Sequence, residues 1–198
     1  MDINKTNILG MSTLHCACTT QHTSLDALKL LLEWGADVNA CSGSGKTALH
    51  YACISLDLKK IKLLLAYDAD VNIYEFHSCL PLMSVVKNPA FMNLRTWPDV
   101  VNVIIDLLLA AGTKLSVEGL EVMRSVVVDL ENRHDLGDKG IQLIRNLYRH
   151  ISEPLSLNSL CRIHIRNSIR PNIDDHVDKL PLPVPLLRYL KFSDIAKI

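Results

Sequence analysis

The feature that most restricts this chain is a self-similarity with a period of 33 residues. Gly35-Ala-Asp-Val-Asn39 returns 33 residues later as Asp68-Ala-Asp-Val-Asn72, and Thr47-Ala-Leu-His-Tyr-Ala52 returns by the same step as Leu80-Pro-Leu-Met-Ser-Val85. An earlier copy, Ser12-Thr-Leu-His-Cys-Ala17, precedes the second by 35. A period of this length marks a supersecondary unit that cannot bury its apolar face alone and must stack on its neighbours. Within each unit the apolar spacing predicts two helices. Thr47 caps a short helix reaching about Ser55, and residues 58–67 (LKKIKLLLAY) form a longer amphipathic one. Residues 24–33 play the second part in the preceding unit, and Gly35 supplies the left-handed residue that ends that helix. His15 and His50 occupy equivalent slots. They are expected to hydrogen-bond turn backbone in preference to binding metal or catalysing.

These two signatures resemble the ankyrin repeat, whose TPLHxA and LLLxxGADVN motifs are both recognisable over roughly residues 1–116. The resemblance implies an all-α solenoid. The first unit has two extra residues between its helices, around Thr20 and Thr23, and the third has eleven, assigned to residues 88–99 (NPAFMNLRTWPD). Phe91, Met92 and Trp97 in that insertion read either as a hydrophobic flap on the array or as contacts for a substrate. Asp68 stands where glycine caps the other repeats, a substitution the left-handed region tolerates. Counting the register backwards places Asp2-Ile3-Asn4 in the turn of a unit whose helices would precede Met1. A shortened form of a longer protein, with an apolar stacking face exposed, is the expectation. After Gly112 the motif decays. Helices over residues 118–130 and 140–151, separated by a polar turn, are expected to form a degenerate last repeat (117–152) that closes the stack.

The remaining segment, 153–198, has a different pattern. Leu157, Leu160, Cys161, Ile165 and Ile169 fall along one stripe of a helix of about three turns, with Ser156 as N-cap and Pro171 as its stop. Such a helix is marginal alone in water. Burying those five side chains would contribute roughly 7–12 kcal/mol before entropy costs, so the helix needs a surface to lie against. Ser156-Leu157-x3-Cys161-x3-Ile165 resembles the elongin-binding helix of the SOCS box. Leu180-Pro181-Leu182-Pro183 resembles the cullin-binding sequence that follows it. The alternative is a C-terminal helix docked on the chain's own core, with Cys161 as a small buried apolar group.

Both halves together make the chain similar to the ankyrin-repeat and SOCS-box proteins. The resemblance implies a non-catalytic substrate-receptor subunit of a cullin-RING ubiquitin ligase. Its partners would be elongin B and elongin C, cullin five with its RING-box partner, and an unidentified protein substrate held on the concave side or hairpin tips. An ankyrin-repeat binding module or inhibitor without ligase function is the second reading. Neither reading calls for a cofactor, a metal or a catalytic residue.

Composition and motifs weigh against other classes. A formal net charge of zero provides no global field for nucleic acid or acidic lipid, and an aromatic content of 5% argues against base-stacking platforms. No apolar run is long enough to span a bilayer, and MDINKTNILG lacks a signal-peptide pattern. The six cysteines lack the paired spacing of a zinc site; reduced thiols point to the cytoplasm or the nucleus. An apolar content of 48% suggests surface covered by partners. Ala40-Cys-Ser-Gly-Ser-Gly-Lys46-Thr47 satisfies a relaxed phosphate-loop pattern, but a polar hairpin precedes it where a buried strand is required. Pro181, Pro183 and Pro185 are spaced by two where a polyproline ligand needs three. Lys59, Lys60 and Lys62 read as the solvated face of their helix.

Overall fold

The computed structural model describes residues 2–20, 23–77, 79–88 and 98–132, together with Ile141, Arg145 and Leu147. Among these residues there are seven helices and no strand. They are α1 (Thr13–Thr19), α2 (Leu25–Glu33), α3 (Ala48–Ile54), α4 (Leu58–Ala66), α5 (Pro81–Val86), α6 (Pro98–Ala110) and α7 (Val117–Glu131). Helices α1, α3 and α5 stack side by side as an inner layer, while α4 touches both α2 and α6 in an outer layer. Between the layers lies one apolar core, with Leu28, Leu49, Ile61, Leu64, Leu82 and Ile104 all fully buried. Met123 and Val127 join it from α7, and so does Leu147. Ile141, Arg145 and Leu147 are helical, as expected for 140–151; the rest of that stretch lies outside the described residues.

Local chemistry starts each helix. The Ser24 hydroxyl accepts from the Ala27 amide at 3.2 Å, Asp57 Oδ1 accepts from the Lys59 and Lys60 amides at 3.1 and 3.2 Å, and Pro81 opens α5. At α1 and α3 the cap is a capping box with histidine in the usual Glu/Gln place. His15 Nδ1 accepts from the Ser12 backbone at 3.0 Å, and its Nε2–H donates to the Ala40 carbonyl at 2.9 Å. His50 repeats the arrangement with the Thr47 amide at 3.1 Å and the Cys79 carbonyl at 3.1 Å. An amide on one nitrogen and a carbonyl on the other fix the neutral, Nε2-protonated ring. Burial pushes both imidazole pKa values down, with the carbonyl bonds opposing in part. The structure thus gives both histidines the backbone-bonding role expected of them.

A second repeated device joins the turns. Gly35 (φ 84°), Asp68 (φ 65°) and Gly112 (φ 98°) share the left-handed slot after α2, α4 and α6. An asparagine from the preceding unit clasps each of these turns. Asn4 Oδ1 accepts from the Asp37 amide at 2.9 Å and Asn39 Oδ1 from the Asp70 amide at 2.8 Å. Asn72 Oδ1 accepts from the Lys114 amide at 2.7 Å. Their amide groups donate to the carbonyls of Gly35, Asp68 and Gly112 respectively. The ladder therefore reaches Gly112 in register, and the insertion between α5 and α6 is absorbed before the turn. Pro98 and Asp99, expected in the inserted loop, instead form the first turn of α6, where proline fits and an acid faces the helix dipole. Residues 89–97, with Phe91, Met92 and Trp97, lie outside the described residues.

One expectation is overturned. Lys59 is exposed, but Lys60 is 2% exposed and does not belong to a solvated face. Its ammonium donates to the Ala17 carbonyl at 3.0 Å and to the Thr20 carbonyl, with the Asp57 carboxylate at 3.7 Å. The last carbonyls of a helix have no intrahelical donors, and α1 is followed by the lengthened turn. A lysine on the inward side of α4 supplies them from the next repeat.

Two consequences can be measured. Asn39→Ala strands the Asp70 amide and the Asp68 carbonyl, and is expected to lower stability by about 1–3 kcal/mol, seen as a reduced urea midpoint at unchanged slope. The depressed histidine pKa values mean that below pH 6.5 the unfolded chain takes up protons that the folded chain refuses. Stability is expected to be complete above that pH and to fall as pH drops through 6.5 toward the lower folded values. In the double variant His15→Gln and His50→Gln, which keeps a capping-box side chain, thermal melting should lose most of this dependence between about pH 7.5 and 5.5.

Candidate protein-recognition surface

Three hairpins project beside the inner helices. Their closing bonds run from the Asn7 amide to the Met11 carbonyl, from Ser42 to Lys46, and from Glu75 to Cys79. Neighbouring tips touch through backbone: the Gly43 amide donates to the Leu9 carbonyl at 2.9 Å and the Phe76 amide to the Ser44 carbonyl at 3.4 Å. A Cβ at Gly43 would sit 2.6 Å from the Leu9 oxygen. One at Gly45, where φ is also positive, would sit 2.9 Å from the Phe76 amide. The glycines of Ser-Gly-Ser-Gly-Lys therefore serve the close approach of stacked fingers, not a phosphate cradle. The tips carry exposed apolar side chains, Ile8 and Leu9 on the first finger and Phe76 on the third.

Behind the second and third fingers, α3 and α5 flank a groove of about 290 Å³. Ile54 and Met83 give it apolar surface, Lys87 follows Met83 by one turn along α5, and Cys79, Lys46 and Glu75 line it from the finger side. Lys46 pairs with the Glu75 carboxylate, the two side chains being 22% and 8% exposed. Burial alone would push the Glu75 carboxyl up; the hydrogen bond and charge of Lys46 outweigh it and hold the group below the usual glutamate range. Lys46 is thus committed to a carboxylate, and the Thr47 hydroxyl contacts His50 Nδ1 at 2.9 Å, which leaves the Gly-Lys-Thr sequence with structural work. Lys87 Nζ lies 3.1 Å from Cys79 Sγ, and Asn88 Nδ2 donates to the Ile54 carbonyl at 2.6 Å, tying the ends of α3 and α5 together. Tyr51 stands at the neighbouring junction, donating to Ser42 Oγ at 3.1 Å and meeting the His15 ring edge-on at 5.8 Å.

Among the described residues the cysteines are all free, with Cys16 and Cys41 exposed. Cys18 and Cys53 are buried; burial pushes the Cys18 thiol up to about 12 and raises Cys53 as well. Among the described residues no cluster of three or more His, Cys, Asp or Glu side chains could hold a metal ion, and no helix is long and apolar enough to cross a membrane. The sequence-derived contact residues Leu157, Leu160, Cys161, Ile165 and Ile169, and Leu180 to Pro183, lie outside the described residues. Sequence reasoning did not find the groove. Glu75 and Lys46 are 29 residues apart, and no motif announces their pairing.

Comparison with known proteins supplies the other end of the chain. Family models match ankyrin repeats, in three copies, at residues 1–75 and a SOCS box at residues 153–191. Ankyrin repeat and SOCS box protein 5 of Mus musculus is 29% identical over 181 residues, covering 91% of this chain and 48% of that protein. The chain thus carries ankyrin repeats and a SOCS box, and it is homologous to ankyrin repeat and SOCS box protein 5 over most of its length. The Homo sapiens protein of the same name is 27% identical over 161 residues, covering 81% of this chain and 43% of its own length. The nuclear factor NF-kappa-B p105 subunit of Gallus gallus is 34% identical over 141 residues, but that stretch is only 13% of it. The chain spans about half the length of the ankyrin repeat and SOCS box relatives named here. Although the repeat match ends at residue 75, the α5–α6 pair continues the stack in register through the Asn72 bonds to Gly112 and Lys114.

Replacing Lys46 by Met is expected to leave the Glu75 carboxylate largely buried and unpaired, lowering stability by about 2 kcal/mol. Adding Glu75→Gln should restore most of that loss in urea unfolding. Millimolar nucleotide with magnesium should leave the melting temperature of the unaltered chain unchanged; a rise of several degrees that Lys46→Met removes would restore the phosphate-loop reading.

Proposed function

We propose that this protein is the substrate-receptor subunit of an elongin–cullin–RING ubiquitin ligase, with a repeat region (1–116), closing helices (117–152) and a SOCS box (153–198). One observation carries the reading: an ankyrin stack and a SOCS-box match at residues 153–191 occur in one chain, and that match spans every position of the two C-terminal motifs. Leu157, Leu160, Cys161, Ile165 and Ile169 dock on elongin C, itself bound to elongin B, with Cys161 as a small apolar plug. Leu180, Pro181, Leu182 and Pro183 select cullin five with its RING-box partner. The fingers and groove hold the target for ubiquitination and degradation, with Phe91, Met92 and Trp97 of the insertion as further substrate contacts. The work is placement: holding a target near the transferring enzyme raises effective concentration without chemistry in the receptor. Such a subunit works in the cytoplasm or the nucleus. A repeat module or inhibitor without ligase function remains the competing reading, and elongin binding separates the two.

Co-expression with elongins B and C should yield a complex that survives gel filtration. Leu157→Asp combined with Cys161→Asp should abolish recovery of both elongins while the far-ultraviolet circular dichroism and urea transition of the array persist. Unchanged recovery would defeat the assignment.

A further inference from the structure

We infer that the groove between α3 and α5 recognises an acidic–apolar peptide segment of a partner protein, one aliphatic side chain resting on Ile54 and Met83 and a neighbouring aspartate or glutamate pairing with Lys87. The inference rests on the reading of the array as the target-binding end and gives that target a chemistry. A volume of about 290 Å³ is enough for one or two side chains, and too small for a folded element. Ile54 is 43% exposed although it faces a concavity, and Met83 beside it has an unbranched thioether that adapts to the shape of a guest.

Charge then selects among apolar guests. Lys46 and Glu75 cancel each other. Among the described lining residues Lys87 carries the remaining charge, and no carboxylate other than Glu75 lines the groove. The contact made by the Lys87 ammonium is the Cys79 sulfur, a weak acceptor that yields readily to a carboxylate oxygen. The apolar wall lowers the local dielectric, so an ammonium here attracts a carboxylate more strongly than one on an open helix face. A basic segment would meet uncompensated like charge. A phosphorylated one would need more than a single lysine to match its charge. Exposed Phe76, next to Glu75 on the finger, extends the apolar contact for residues flanking the acid.

The test uses the full chain, with and without co-expressed elongins B and C, against a phage-displayed library of random peptides. Enriched sequences are expected to place Asp or Glu beside Leu, Ile or Val. A synthetic consensus peptide, followed by fluorescence anisotropy, should bind about tenfold more weakly to Lys87→Glu. The same peptide with Lys in place of its acid should recover binding to that variant. Ile54→Asp should abolish binding, and Lys59→Glu, on an exposed position of α4, should leave it unchanged. No enrichment, enrichment without acidic residues, or binding indifferent to Lys87→Glu would overturn the inference. So would a groove closed by a second copy of the chain, seen as a Lys87-dependent dimer in sedimentation. Loss of the elongins from the preparation would sink the receptor reading alone, because the selection on the isolated chain still decides the groove.

Discussion

The stack depends on an amide side chain that crosses from one turn to the next. A left-handed residue ends α2, α4 and α6, and the backbone beyond it has donors and acceptors that no helix can satisfy. Asn4, Asn39 and Asn72 satisfy them from the preceding unit with an oxygen on one amide and a nitrogen on one carbonyl. Either half alone would leave a partner stranded, and an aspartate or a leucine could supply at most one half. His15 and His50 do comparable work on the finger side, and Lys60 does it at the end of α1. Apolar burial drives the units together, but these bonds set where along the helices they meet. That explains how two insertions of different length leave the register intact.

What could be read from the residues follows from how local each cause is. The helices, the left-handed caps at Gly35 and Asp68, and the histidine slots are set by residues a few positions apart, so a period of 33 exposes them. The third unit was legible although Leu80 replaces the capping hydroxyl and Met83 replaces histidine, because the spacing of the apolar positions survived. Lys60 was misread for the opposite reason. Its helical position is compatible with solvent, and only the α1 carbonyls 40 and 43 residues earlier make burial favourable. The groove was hidden likewise, since the Lys46–Glu75 pair joins two fingers with no periodic signal. The SOCS-box motifs were legible as a motif pair, and the family match at 153–191 covers them.

The substitution of Met83 for histidine ties the stack to the groove. In the first two units the ring bonds polar groups at the helix start and donates a hydrogen bond to a carbonyl of the next finger. In the third that bonded link is missing, and the buried position is apolar. The wall between α3 and α5 therefore has a thioether beside Ile54, with the polar groups displaced to the finger side and to the end of α5. A concavity that presents both apolar and charged groups discriminates better than a uniform one, because a guest must match both at once.

The placement role proposed for this protein would also constrain its mechanics. Each repeat contacts only its neighbours, so the orientation of the target relative to the C-terminal segment is the sum of small rotations along the stack. A loose turn would spread that orientation and dilute the effective concentration that the proposed role requires. Lys60 matters in this respect more than in stability alone. It bridges the longest inter-helix turn of the first two units to the next repeat at a point where no asparagine reaches, stiffening the joint at which a longer loop would otherwise let the first unit tilt. The buried ammonium is anchored near the start of α4, and the amide ladder holds the turn at its end. Two fixed ends prevent rocking about either one, which a single row of bonds along the turns would allow.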